Sequence, residues 1–136
     1  SLSSKYDIVI FGGPSEIDIA KDIEDELIKN GVLNYQNLAG KTSIKELIEK
    51  IAGLNLFVTN DSGPMHVAAA YKVKTVSIFG PTKFTETNQW KNDKNGLIVT
   101  KKLDCAPCMK RVCPLKHHNC MKTITADDVL KKIATF

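Results

Sequence analysis

The sequence predicts an α/β fold, a parallel sheet with helices on both faces, and three observations carry that prediction. Short apolar runs rich in Val, Ile and Phe, such as Leu54 to Thr59 and Thr75 to Phe79, are bounded by turn residues and read as buried parallel strands. Segments with apolar residues at helical spacing lie between such runs. Polar, glycine-bearing turns stand where strands end, at Gly12-Gly13, Asp61 to Gly63 and Gly80 to Thr82. In an open parallel sheet the ligand crevice lies at the carboxyl ends of the strands, so these three turns are expected on one rim.

Taken in order, Ser1 to Ser4 read as a disordered start or as residues foreign to the natural chain, and Tyr6 to Phe11 as the first strand. Gly12-Gly13-Pro14 ends that strand in a tight turn. Ser15 then offers an N-cap with Asp18 three residues on, and Ile17, Ala20, Ile23, Leu27 and Ile28 recur at helical spacing as far as Asn30-Gly31. The dinucleotide fingerprint G-x-G-x-x-G is absent from this unit. Tyr35 to Leu38 supplies a short strand, and Ala39-Gly40-Lys41-Thr42-Ser43 turns into a second helix. Gly40-Lys41-Thr42 is not a Walker A loop, because Tyr35 occupies the position where that motif needs its first glycine. Ser43 and Glu46 form a capping box, with Ile44, Leu47, Ile48 and Ile51 as the apolar stripe and Gly53 as the stop.

Between the strands Leu54 to Thr59 and Thr75 to Phe79 lies Asn60-Asp61-Ser62-Gly63-Pro64-Met65-His66-Val67-Ala68-Ala69-Ala70. Asp61 or Ser62 can cap the helix that starts here, Gly63 lets a ligand approach the backbone, and Pro64 fits the first turn. Ala68, Ala69 and Ala70 let the helix lie close on the sheet. Its remaining N–H groups and the positive end of its dipole suit an anion, phosphate above all. The plain alternative is a capped crossover helix with no ligand. Residues 83–96 show no clear period and read as a loop or short helix; Trp90 there either packs or covers a ligand. Leu97 to Thr100 is a further strand, and a last helix starts near Thr125 with Asp128 at N3.

At 136 residues, with 43% apolar and 25% charged residues, the chain suits one domain, 1–136, and excludes disorder. No apolar run approaches a membrane span of roughly 20 residues and no signal peptide opens the chain, so a soluble, cytoplasmic protein is expected. The net charge of +4 fits an anionic small molecule or peripheral contact with an anionic membrane. Nucleic acid is not expected, since no aromatic-basic interleaving is visible.

All four cysteines fall in a loop at 101–124, as Cys105, Cys108, Cys113 and Cys120, with His117 and His118 in the last interval. In a cytosolic protein this clustering favours thiolates, which could complete a tetrahedral structural zinc site. The spacing is not that of a standard ribbon or finger, so free buried thiols and one or two disulfides remain the alternatives.

The run from Asp61 through His66 to Ala70, followed by Ile78-Phe79-Gly80-Pro81-Thr82, resembles the signature of the ADP-heptose:lipopolysaccharide heptosyltransferases, and in particular their C-terminal, donor-binding half. The likeness covers residues 6–133. It implies a Rossmann-like domain, one half of the B-type glycosyltransferase fold. The implied activity is metal-independent, inverting transfer of heptose from ADP-heptose to the lipopolysaccharide inner core, at the inner face of the cytoplasmic membrane, with no cofactor required. By this resemblance Ser62 and Gly63 would stabilise the leaving diphosphate through their N–H groups. Asp61 would accept hydrogen bonds from sugar hydroxyls or hold the turn, and His66 would face the cleft or brace the loop. Gly13 belongs to a converging turn, Glu16 matches an acidic residue facing the nucleotide, and Lys41 and Thr42 match a turn lining the base pocket. Members similar to heptosyltransferase II carry a segment like Cys105-Ala106-Pro107-Cys108, and the type I enzymes lack it, which implies a loop-holding rather than catalytic task.

The family's general base belongs to an N-terminal acceptor domain for which 136 residues leave no room. No catalytic residue is therefore expected here, and the chain is expected to bind donor without turning it over. Another nucleotide-sugar transferase or epimerase domain, and a zinc-stabilised binding module, are the competing readings.

Overall fold

The computed structural model describes residues 2–89 and 94–136. Trp90, expected to pack or to cover a ligand, lies outside them. The chain divides into two compact units, Ser1–Leu47 and Ile48–Phe136, each with its own parallel sheet.

In the first unit β1 (Ile8–Ile10) pairs in parallel with β2 (Tyr35–Asn37), Ile8 opposite Tyr35 and Ile10 opposite Asn37. Helix α1 (Ile17–Lys29) makes the crossover, and Gly31, at a φ of 72°, reverses the chain after it. Ile10, Ala20 and Ala39 form the core, with Ile8 and Leu27 packed against it. Leu2–Ser4 is an ordered 3₁₀ turn rather than a disordered start. The Asn34 side-chain amide donates to the carbonyls of Ser3 and Tyr6, at 2.9 Å each, and pins it. The expected cap from Ser15 is also corrected. Pro14–Glu16 is a 3₁₀ turn, and the Glu16 carboxylate reaches back to the Gly13 N–H instead. Ile17, Ile23 and Ile28 remain about half exposed, so only part of the expected α1 stripe is covered.

The division between the units falls inside α2 (Ile44–Ala52). Its capping box forms as expected, with the Glu46 N–H on Ser43 Oγ at 3.2 Å and the Ser43 N–H on Glu46 Oε1 at 3.3 Å. Of the expected stripe, Ile51 is fully buried while Ile44 is 80% exposed. Ile44 lies on the same face seven residues earlier, so the stripe is covered only towards its carboxyl end.

The second unit holds β3 (Phe57–Asn60), β4 (Thr75–Phe79) and β5 (Gly96–Thr100), all parallel, in the order β3-β4-β5. The central β4 is buried along nearly its whole length, as its apolar run foretold. Helix α3 (Gly63–Ala70) makes the β3-to-β4 crossover and packs on both strands, burying Met65, Ala68 and Ala69. Ala70 is exposed, so two of the three alanines, not all, allow the close approach. Short helices α4 (Phe84–Thr87) and α5 (Asn119–Lys122) precede α6 (Ala126–Ile133), which packs on β4 and β5. Thr125 caps α6, its hydroxyl accepting from the Asp128 N–H while Asp128 accepts from the Thr125 N–H. Among the described residues no helix is long and apolar enough to cross a membrane.

Candidate functional site

In the second unit β3 delivers Asn60, Asp61 and Ser62 to the start of α3. Ser62 is the N-cap residue, with extended backbone at φ −156° and ψ 169°, yet its side chain makes no capping bond. Its hydroxyl donates back to the Asn60 carbonyl at 3.3 Å and stands 3.4 Å from Thr59 Oγ1. Asp61 does not cap either: its Oδ2 accepts from the Thr87 hydroxyl at 3.0 Å. The expectation of a side-chain cap from Asp61 or Ser62 is thus corrected, because both side chains are turned to other partners. The opening N–H groups of a helix have no acceptor within it. Where no side chain covers them, they and the helix dipole remain available to an anion.

Gly63 stands at the first helical position, exposed, and a Cβ built on it would meet nothing within 4 Å. The approach to this backbone is therefore open. Pro64 contributes no N–H, and the Met65 N–H reaches the Ser62 carbonyl at 3.2 Å. The His66 side chain is exposed and makes no hydrogen bond among the described residues. At the carboxyl end of β4, the buried Thr82 hydroxyl oxygen has no hydrogen-bond partner among the described residues. Such a group is ordinarily satisfied by protein, water or ligand.

The first unit brings together the other expected residues around two linked turns. The Gly40 N–H donates to the Gly12 carbonyl at 2.8 Å, joining the turn after β1 to the turn after β2. Gly40 has a φ of 69°, and a Cβ there would lie 2.8 Å from Ile17 Cδ1. Only glycine satisfies both conditions. The Gly13 N–H donates to Glu16 Oε2 at 2.7 Å, which engages both residues with each other. Lys41 is exposed and Thr42 half-buried in the same turn, with the Lys41 N–H on the Leu38 carbonyl at 2.9 Å.

The cysteine loop lies in the second unit. All four thiols are free, Cys120 buried and the others half-buried. Backbone N–H groups, led by that of His118 and followed by those of Leu115, His117 and Lys116, face the Cys113 sulfur and lower its pKa. Burial pushes the Cys120 thiol up, reinforced by the other three cysteines.

Two structural residues escaped the sequence. Thr87 holds Asp61 from 26 positions away. Gln89, 4% exposed, donates through Nε2 to Ser77 Oγ at 2.8 Å and to the Leu97 carbonyl at 3.4 Å, bridging β4 and β5. Both lie in the stretch without a period, and no local signal marks either.

Parallel α/β units with glycine-bearing turns at the strand ends, and a helix start left open to an anion, define a protein of the Rossmann-like class. Residues 2–119 match the model of glycosyltransferase family 9 (heptosyltransferase), and the chain belongs to that family. It is 48% identical over 133 residues to the lipooligosaccharide heptosyltransferase 2 of Campylobacter jejuni subsp. jejuni serotype O:2, covering 97% of this chain and 41% of that protein. It is 36% identical over 81 residues to the lipopolysaccharide heptosyltransferase 2 of Escherichia coli K12, covering 60% of this chain and 23% of that one. The fold is similar to that of the E. coli ADP-heptose lps heptosyltransferase II, with a TM-score of 0.77 at 26% identity, over 98% of this chain and 37% of the other. A family 9 glycosyl transferase from Veillonella parvula shares the fold at a TM-score of 0.78 and 24% identity, over 96% of this chain and 36% of the other. The chain thus spans about two fifths or less of the length of these relatives.

Proposed function

We propose that this chain is the ADP-heptose-binding part of an inverting glycosyltransferase that builds the lipopolysaccharide inner core on the cytoplasmic side of the membrane. One observation carries the reading: α3 begins at Ser62-Gly63 with no side chain bonded over its N–H groups and with open space in front of Gly63. A diphosphate seated there would meet backbone donors and the helix dipole. As the glycosidic bond to the donor breaks, charge grows on the departing ADP, and donors already in place stabilise it without reorganisation. Asp61, fixed by Thr87, would accept from donor hydroxyls, and exposed His66 would reach the diphosphate from one turn along. Gly13, Glu16, Lys41 and Thr42 are assigned to the nucleoside on the strength of the family likeness. The general base and the acceptor sugar belong to the remaining part of a full-length enzyme, so this chain binds donor and does not turn it over. No metal is needed for the transfer itself.

Calorimetric titration with ADP, an ADP-sugar, UDP and a UDP-sugar tests the reading. Binding of the adenine compounds alone is the expected result. Equal binding of uridine compounds, or no binding of any, would overturn the donor assignment, and robust transfer by this chain alone would overturn its limitation to donor binding.

A further inference from the structure

The segment between β5 and α6 has almost no apolar core of its own. Most of its large apolar side chains are only partly covered: Met109 is 55% exposed, Val112 77%, Leu115 60% and Met121 40%. Little hydrophobic burial is left to fix so irregular a stretch, and small elements in this condition are held by disulfides or metals. Yet it is anchored at several points to the end of β4. The Met109 N–H donates to the Pro81 carbonyl at 2.8 Å, and Met109 Sδ accepts from the Lys83 N–H at 3.3 Å. A Cβ on Gly80 would collide with the Met121 side chain and stand 3.5 Å from Cys120 Sγ.

At this anchor Cys105, Cys108, Cys113 and Cys120, from separate turns of the segment, all line one cavity of about 120 Å³ alongside Pro81 and Met121. Packing alone gives no reason to gather four free thiols around one space. Their common property is soft coordination of a divalent metal. The two-residue gap between Cys105 and Cys108 is the spacing that lets two sulfurs reach one ion. The Cys113 turn is closed by the Lys116 N–H on the Cys113 carbonyl at 3.0 Å. His117 and His118 line the same cavity, and His117 Nδ1, 4.0 Å from Cys113 Sγ, already accepts from the Asn119 N–H at 3.0 Å; Cys120, the buried thiol, is taken as the fourth donor.

We propose that Cys105, Cys108, Cys113 and Cys120 bind a single zinc ion that fastens the segment 101–124 to the carboxyl end of β4. Among the described residues no group of three His, Cys, Asp or Glu side chains is arranged to hold a metal. Uptake therefore draws the turns inward, and each thiol that joins gives its proton to solvent. Four thiolates close the coordination shell and leave no position for a reacting water, so the ion is structural.

The test uses the chain purified under reducing conditions without chelator. About one zinc ion per chain is expected by elemental analysis, and cobalt(II) in its place should give the intense thiolate charge-transfer band of a tetrahedral site. Stripping the metal should make all four thiols react with a thiol reagent, and adding zinc back should protect them and raise the melting temperature. Replacing Cys105 and Cys108 together by Ser should abolish uptake. Since that variant can fail to fold, the titration of stripped wild-type chain decides. Unchanged thiol reactivity and melting on adding zinc would overturn the proposal, as would peptide mapping that finds the four cysteines paired in disulfides in freshly isolated protein.

Discussion

The Thr87 hydroxyl donates to the Asp61 carboxylate across 3.0 Å, and this bond keeps Asp61 off the N–H groups of the helix it precedes. An acid at that point of the chain would ordinarily be drawn to the helix start by both hydrogen bonding and the dipole. Thr87→Val should therefore lower stability by about 1 kcal/mol and release Asp61 to fold over the start of α3. A carboxylate there would compete with phosphate, so ADP affinity should fall in the same variant, while Thr87→Ser retains both properties. Denaturant unfolding and calorimetry of the three proteins check this.

Gly63→Ala separates ligand binding from folding. The added methyl meets no neighbour, and the φ of Gly63 lies outside the left-handed region, so stability should change by no more than about 0.5 kcal/mol. If the diphosphate sits against this backbone, the methyl occupies its space and ADP binding should weaken by about tenfold or more, some 1.4 kcal/mol. Unchanged affinity in the variant would place the phosphates elsewhere.

Gln89→Leu should destabilise the chain by roughly 1–3 kcal/mol, because it leaves the fully buried Ser77 hydroxyl without its 2.8 Å donor. Adding Ser77→Ala to it should cost less than the sum of the two single changes. A double-mutant cycle in urea measures that coupling.

Acid stability should depend on Asp128. The Thr125 N–H first, then Lys101, hold its carboxyl below the ordinary 3.8, at about 2. A depressed native value means the unfolded chain takes up the proton first. The contribution is thus complete above about pH 4 and is lost as pH falls towards 2. Asp128→Asn should be less stable than the parent at neutral pH and should lose part of the slope of stability between pH 4 and 2. Thermal melts across that range check both.

What the sequence discloses depends on how far apart the partners are. Strand β4 is read to the residue because Val76, Ile78 and Phe79 stand in a run of five residues between turns, too short for a helix. The boxes at Ser43 with Glu46 and Thr125 with Asp128 are equally readable, being pairs three residues apart. The box expected at Ser15 moved to Gly13 and Glu16, since the 3₁₀ turn opened by Pro14 brings the carboxylate to the Gly13 N–H first. Periodicity shows which face of α1 is apolar but not what covers it, hence the exposure of Ile17 and Ile23. At the candidate site, the motif identified the helix start, whereas the release of Ser62 and Asp61 from capping came from Thr59, Asn60 and the distant Thr87. Spacing in the chain carries no trace of the last of these.

The ion pair between Lys101 Nζ and Asp128 Oδ2, 2.9 Å long, joins the residue that leaves β5 to the first turn of α6. It brings the two ends of the intervening cysteine segment together independently of what lies between them. For a flexible segment closed in this way, doubling its length adds only about 0.6 kcal/mol of closure entropy. Added length is therefore cheap in the exposed stretch 110–112, which carries none of the four thiols, and that stretch is a practical place for grafting an epitope or a reporter.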